Sequence, residues 1–510
     1  MQKILTKLKK AILHLKVKLG YKSYVLIAIA IYTIVYSVVK IEAHVHFRTY
    51  AWDLGIFNQV FWSTLHGKLL YYTAEPFYTK TGCFLGSHFS PILFLFVPVY
   101  ALCPKPEFLL FINTLIVAIG AIAAYEIAKF FLKDQKTAAG FSIFYLVYPP
   151  LQGVAFSDFC LESVMVTLFI FIIYYLVKGD LKKLALTVSL GLLAHEASAP
   201  VIAFIGLYGM WHYRSVKSKN FQASLIILAV SIPYFFLAQT LRVFFGWTGR
   251  PSLWNEWALI GAKEPLDVPL KILMNPTGAW ASLTYDGTAK ILYVLMFFLP
   301  YVFLPLLASD ALIPTIPYFV IGLFSSYPMY YSIQSHYPAF LVPFFFLAFI
   351  KGILKLKEII SRRFNISDLK IAKVGLLLCV LSYFLLIPLF LPIFGNYQFD
   401  SEHDKVVHSV MAEIPQNSSV LTQSNIFPHL SSRLDAYTIP CPLWGEEYRK
   451  IAEEILINLS RVRIEYVFID LKSEPYSASA AELILEKFVS PNNYTLLKEE
   501  DGVMLFKLRE

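Results

Sequence analysis

Charge is what this sequence has least of. Asp, Glu, Lys and Arg make up only 15% of its 510 residues, where an ordinary globular domain carries about 25%. Hydrophobic residues account for 57% and the mean hydropathy is +0.59. So little polar surface cannot cover a folded chain in water, which excludes a soluble protein and leaves a polytopic membrane protein. Cysteine is scarce too. The five (Cys83, Cys103, Cys160, Cys379, Cys441) are odd in number and show neither CxxC nor another metal-ligand spacing, so no disulfide framework or zinc site is implied. No repeat or low-complexity tract is present. The net charge of +9 sits in short clusters between apolar runs, a pattern of membrane orientation, and no nucleic-acid partner is expected.

Long apolar runs dominate what is there. Residues 1–22 carry seven lysines at near-helical spacing and read as a basic cytoplasmic amphipathic helix; residues 23–39 read as a membrane anchor rather than a cleaved signal peptide. Further runs lie near residues 107–131, 138–156, 161–177, 184–199, 200–212, 221–245, 288–307, 310–325, 336–352 and 371–394. Each is long enough, or nearly so, to cross a hydrocarbon core of about 30 Å, so the fold expected is a polytopic α-helical bundle of about eleven spans. The 184–212 stretch, broken at Ala199-Pro200, reads as two half-depth helices, with one long tilted helix as the alternative.

The basic loops test this path. The N-terminus, Lys129/Lys133/Lys136, Lys178/Lys182/Lys183, Arg214/Lys217/Lys219 and the 351–373 stretch hold more than half of the 44 basic residues, and the alternating path puts them all on one, cytoplasmic side of a plasma membrane. The opposite side receives a first loop at 42–89 and a C-terminal segment, 396–510, that holds about half of the 35 acidic residues. Helix-like stretches at 402–413, 446–459 and 478–488 alternate there with strand-like ones at 419–422, 466–470, 494–498 and 503–507, which predicts a small extracytoplasmic α/β domain. The domain division expected is thus 1–22, 23–395 and 396–510. Sequons at Asn417, Asn458 and Asn493 offer a topology check.

Ionisable residues near membrane depth are costly and mark function by default. Asp53, in Trp52-Asp53-Leu54-Gly55-Ile56-Phe57-Asn58-Gln59, precedes a stretch to Leu65 patterned as an interfacial helix; the competing role is that helix's N-cap. His88, in a polar turn ahead of a short apolar run, reads either as a site residue or as an interfacial histidine bonded to a carbonyl. Asp158 and Glu162 would share one helical face if their segment is helical, tolerating each other through a bound cation, proton or ammonium, or through Arg242, Arg250 or Lys263. His195 and Glu196 stand at the break between two short runs, where non-helical backbone persists only around protein or a wet cavity. His336 and Tyr337 cap another run, where aromatic anchoring is the plain alternative. Chain parity puts all of them on the outer face.

In order and type these motifs resemble the prokaryotic membrane-protein family "domain of unknown function 2079", over residues 45–470. That family in turn resembles the GT-C superfamily of integral-membrane glycosyltransferases, which take sugar from a polyprenyl-phosphate donor on the extracytoplasmic side. The resemblance implies that Asp53 is the general base or acceptor-orienting carboxylate. It makes His88, Glu162 and Glu196 supporting or metal-coordinating groups, with His336 and a cation among Arg242, Arg250 and Lys263 at the donor phosphate. The sequence departs from the pattern at Cys160, Leu161, His195 and Ala197. No Asp-X-Asp stands in the first loop, so no motif requires a divalent cation and the cofactor stays open. The partners implied are a polyprenyl-phosphate-linked sugar, membrane lipids and an unidentified acceptor. A transporter or lipid flippase with a midplane polar site, and a non-catalytic membrane scaffold, remain the alternatives.

Overall fold

The computed structural model describes residues 20–76, 79–249, 256–361, 368–390 and 401–509; the amphipathic helix expected over residues 1–22 therefore lies almost wholly outside the described residues. The first apolar run forms helix α1 (Lys22–Val45). A short buried helix, α2 (Ile56–Leu65), follows. Pro106, at the first position of α3 (Pro106–Leu132), starts the longest helix, and Lys133 ends it in the left-handed conformation. Asp134 then caps α4 (Gln135–Val147), its Oδ2 accepting from the Thr137 amide at 2.8 Å.

Tyr148-Pro149-Pro150 breaks the next run. A residue before proline is driven out of the α region, and Tyr148 sits at φ −59°, ψ 124°, so α4 and α5 (Pro149–Phe156) meet at a bend of 55°. Helix α6 (Leu161–Lys178) stops at left-handed Gly179. Helices α7 (Leu181–Ala194) and α8 (Ser198–Tyr213) are separate, and α9 (Lys219–Phe244) returns alongside α8. The break falls at His195–Ala197, at the polar pair, and not at Ala199-Pro200, because a proline in the first turn of a helix is tolerated. Helix α10 (Val342–Ser361) is buried all round from Val342 to Ile353 and becomes partly exposed from Leu354 onward, as an apolar helix that starts in a bundle interior should.

Not every apolar run folds as one long helix among the described residues. Among the described residues five helices are long and apolar enough to cross a membrane, or six when α4 and α5 count as one bent span. Proline divides one of the others: the 288–307 run breaks at Leu299-Pro300, whereas the 310–325 run, though it begins in a 3₁₀ stretch at Leu304–Thr315, belongs to Leu304–Leu323, which is among the five.

The chain after Ser401 builds a five-stranded sheet in the order β2-β1-β3-β5-β4, from β1 (Val420–Thr422), β2 (Ala436–Tyr437), β3 (Tyr466–Asp470), β4 (Tyr494–Glu500) and β5 (Val503–Leu508). Strands β2, β1 and β3 are parallel, whereas β5 and β4 run antiparallel. The helix Glu446–Leu459 buries Ile451, Ala452, Ile455, Leu456 and Leu459 in a core shared with Val467, Ile469 and Phe506. Strand β2, two residues long, carries no alternation to announce it. The segment Ile426–Leu430 leaves this core and packs its Ile426, Phe427 and Leu430 into that of the helical bundle.

Gly153 on α5 sets where one outer loop lies. A Cβ there would stand 2.1 Å from the Ile333 carbonyl oxygen and 2.5 Å from that of Ser335, both backbone atoms that cannot swing aside. Gly153→Ala should cost about 1–3 kcal/mol by overpacking and push the 333–336 loop outward. Thermal unfolding in detergent reads this; an unchanged midpoint would mean the loop is free to move.

Candidate active site

The first loop places Asp53 in a conformation that few side chains adopt. Tyr50 is extended, and Asp53 itself has φ 75° and ψ −87°, near the strained γ-turn at about +75°, −65°. A non-glycine residue held there costs about 1–3 kcal/mol and persists only where neighbours fix it. The neighbours come from the far end of the chain. The Ala51 amide donates to Ser424 Oγ at 3.2 Å, Asn58 Nδ2 to Ser431 Oγ at 2.8 Å, and Gln59 Nε2 to the Arg433 carbonyl at 3.2 Å. Asn58 Oδ1 in turn accepts from the Tyr100 hydroxyl at 2.6 Å. Gly55 leaves room for Phe427, whose ring would lie 2.5 Å from an added Cβ.

Asp53 does not cap α2, since the start of that helix has no side-chain cap. Nor does α2 lie with one face outward: Ile56 to Phe61 are all buried between the bundle and the C-terminal segment. The carboxylate of Asp53 faces His336 instead, Oδ2 to Nδ1 at 3.7 Å, with 34% of its side chain reachable by solvent. Burial by the surrounding walls holds its pKa above the ordinary carboxylate value, the attraction of His336 only partly opposing this.

Glu196 is the hub of a second group. The break between α7 and α8 leaves His195 extended and non-helical, and this turns Glu196 inward. Its Oε1 lies 3.0 Å from His88 Nδ1 and 3.5 Å from Arg242 Nη1; its Oε2 accepts from the Phe89 amide at 2.9 Å. A carboxylate only accepts, so His88 Nδ1 carries the hydrogen. His195 Nδ1 accepts from the Ala197 amide at 3.0 Å and lies 3.4 Å from Glu196 Oε2. Arg242 also donates to Gln239 Oε1 at 2.9 Å and to the Gly86 carbonyl at 3.3 Å, and stacks over Trp247 at 4.0 Å. His88 keeps 43% of its side chain exposed, whereas Glu196 keeps 7%. His88, His195 and Glu196 offer ligand atoms within 4.8 Å of one another, enough to hold a metal ion. The guanidinium 3.5 Å away already balances the carboxylate, and a divalent cation would have to displace or tolerate it.

Asp158 and Glu162 do not share a helical face. Asp158 stands in the linker after α5, while Glu162 opens α6, where the helix dipole favours a carboxylate. Helix α5 ends at Phe156, before Asp158, and α6 begins only at Leu161, so the i, i+4 reading fails. Tyr337 is packed against Tyr330 and Tyr318, at 4.7 and 6.2 Å between ring centres. Lys263 sits in a turn whose amide meets Asp267, and Arg250 lies outside the described residues.

Two groups carried no signal in the sequence. Lys40, at the end of an apolar run, looks like an interfacial anchor, but its Nζ donates to the carbonyls of Ala155 and Ser157 at 3.0 and 2.6 Å and fixes the Asp158 linker. Glu75 is a further carboxylate of the first loop, with no motif around it. Its Oε2 accepts from the Tyr72 hydroxyl at 3.2 Å, and it senses both Asp53 and His88; burial pushes it up to about 7. A carboxyl raised from its unfolded value of about 4.5 binds more protons folded than unfolded, so the stability it allows is full below pH 4.5 and is lost as pH rises through 7. Glu75→Gln should therefore raise the melting temperature at pH 8 by about 2 °C or more and leave it unchanged at pH 4.5. Equal shifts at both pH values would remove Glu75 as the cause.

Solved structures with a related course of chain include ArnT from Cupriavidus metallidurans in the apo state (11% identity, 95% of this chain and 98% of that one, TM-score 0.47) and the same protein bound to undecaprenyl phosphate (12%, 95% and 97%, 0.46). The arabinofuranosyltransferase AftD from Mycobacteria aligns with 82% of this chain over 35% of its own (12%, TM-score 0.44). A comparison with curated proteins finds no match. The family model for DUF2079, described as a predicted membrane protein, matches residues 43–505, and the chain belongs to that family.

Proposed function

We propose that this protein is a multi-pass membrane glycosyltransferase, moving a sugar from a polyprenyl-phosphate-linked donor to an extracytoplasmic acceptor. The observation that carries the reading is Asp53: a carboxylate held in a strained, uncapped turn, reachable by solvent, with a histidine 3.7 Å away. Strain of this kind collects at working sites because something besides stability maintains it. The donor class follows from the superfamily resemblance.

In this scheme Asp53 takes the proton of the acceptor hydroxyl as its oxygen bonds to the anomeric carbon. The bond from that carbon to the phosphate oxygen breaks, and the polyprenyl phosphate leaves with the electron pair. His336 orients the carboxylate. His88, the exposed member of the Glu196 group, and Arg242 compensate the departing charge. Glu196 and His195 hold those two in place, and Glu162, Asp158 and Tyr337 line the approach. No step is routed through a metal. The distribution of the basic loops supports an N-terminus in the cytoplasm and a C-terminal domain, 396–510, outside the cell membrane.

Mass spectrometry of lipids copurifying with wild-type protein and with Asp53→Asn tests the reading. A polyprenyl phosphate should accompany both, its sugar-charged form accumulating on the variant. Bulk membrane lipids alone on both would move the transporter reading ahead.

A further inference from the structure

One cavity among the described residues does not include Asp53. It has a volume of about 360 Å³ and lies where the C-terminal sheet meets the outer end of α1, at the small end of the range for ligand pockets, about 300–1,000 Å³. Its walls are His46, Phe47 and Arg48 on the bundle side and Asn425, Asp470 and Lys472 on the sheet side. Strands β1 and β3 are parallel and end at Thr422 and Asp470. The cavity therefore opens at their carboxyl ends, where the strand order reverses between β1 and β3, the position at which open α/β sheets bind ligands.

Several of the lining charges are already matched. His46 Nδ1 meets Asp404 Oδ2 at 2.5 Å; His403 bridges Asp470 Oδ2 at 3.1 Å and Asp501 Oδ2 at 2.8 Å; and Lys472 pairs with Asp501. Asp470 Oδ1 accepts from the Lys472 amide at 2.9 Å. Arg48 and Lys472 stand among Asp404, Asp470 and Glu474, so an ionic ligand of either sign would meet a like charge as well as an opposite one. What remains is hydrogen-bonding capacity of both kinds, and one group with none of its own satisfied: Asn425, 3% exposed, whose Oδ1 has no hydrogen-bond partner. Leaving a buried carbonyl unpaired costs about 1–3 kcal/mol, and a ligand donor at that point removes the cost.

We propose that this cavity binds a saccharide of one or two rings, whose hydroxyls both donate and accept, with Asn425 Oδ1 taking a hydroxyl proton. The site stands apart from any chemistry at Asp53. The two are nevertheless linked, because Ser424, next to Asn425, accepts from the Ala51 amide two residues before Asp53.

Saturation-transfer NMR on the full-length protein in detergent tests this with glucose, galactose, mannose, arabinose, N-acetylglucosamine, maltose and cellobiose as probes. At least one should show transfer, with a Kd near or below about 1 mM. Asn425→Leu should weaken it about tenfold. Lys472→Met, an exposed change at the rim that spares the fold, should weaken it about threefold. Loss in either variant upholds the site even if Asn425→Leu fails to fold. Absence of transfer for every probe at about 20 mM, or transfer undiminished in both folded variants, overturns it.

Discussion

Asp53→Asn should lower sugar transfer by about 10³-fold, within the range of about 10²–10⁴ that a positioned general base supplies, while leaving the melting temperature unchanged. The two halves of that expectation come from different physics. Asparagine matches aspartate in volume and is among the few side chains that tolerate positive φ, so the turn at φ 75° survives. It cannot take a proton, so the chemistry does not. For the wild type, the rate should fall as the pH drops through the pKa of Asp53. Burial raises that value, so the acid limb should lie above the ordinary carboxylate value of about 3.9. Transfer measured as kcat/KM against pH, with donor charged in the membrane fraction, gives both numbers. A variant within about threefold of the wild-type rate would reduce Asp53 to a structural residue.

What could be read from sequence divides by distance along the chain. Composition required a helical membrane protein, and the basic loops suggested a consistent path, because both depend on local polarity alone. The His195-Glu196 break was legible for the same reason: polar residues between two short apolar runs have to line protein or water, and Glu196 proves to bond His88 and the Phe89 amide. Helical pairing of Asp158 with Glu162 was a local inference that tertiary structure overrode, since Lys40 draws the carbonyls of Ala155 and Ser157 out of any continuing helix. The support beneath Asp53 was beyond reach. Its hydrogen bonds join residues 51–59 to 424–434, more than 370 positions away, and no periodicity in either segment announces the other. Span number was less legible: among the described residues five or six helices are long and apolar enough to cross a membrane, and apolar length fixes a run without fixing where proline divides it.

Replacing Glu196 should do more damage to stability than any other single change at the site. Glu196→Leu removes the one carboxylate among His88, His195 and Arg242 and leaves the Phe89 amide without an acceptor. The histidines can lose their protons; Arg242, with only 10% of its side chain exposed, cannot. Breaking a buried pair in this way costs about 3–5 kcal/mol, a fall in melting temperature of roughly 6 °C or more. Arg242→Leu should cost less, because Glu196 would keep His88 and the Phe89 amide. The double variant should then be more stable than Glu196→Leu alone, since no uncompensated cation remains, and the coupling from the four-protein cycle should favour the pair. Equal costs for the two single variants, or costs that simply add in the double, would mean that Arg242 is neutralised elsewhere, by Gln239, Gly86 and Trp247, and that Glu196 serves His88 alone.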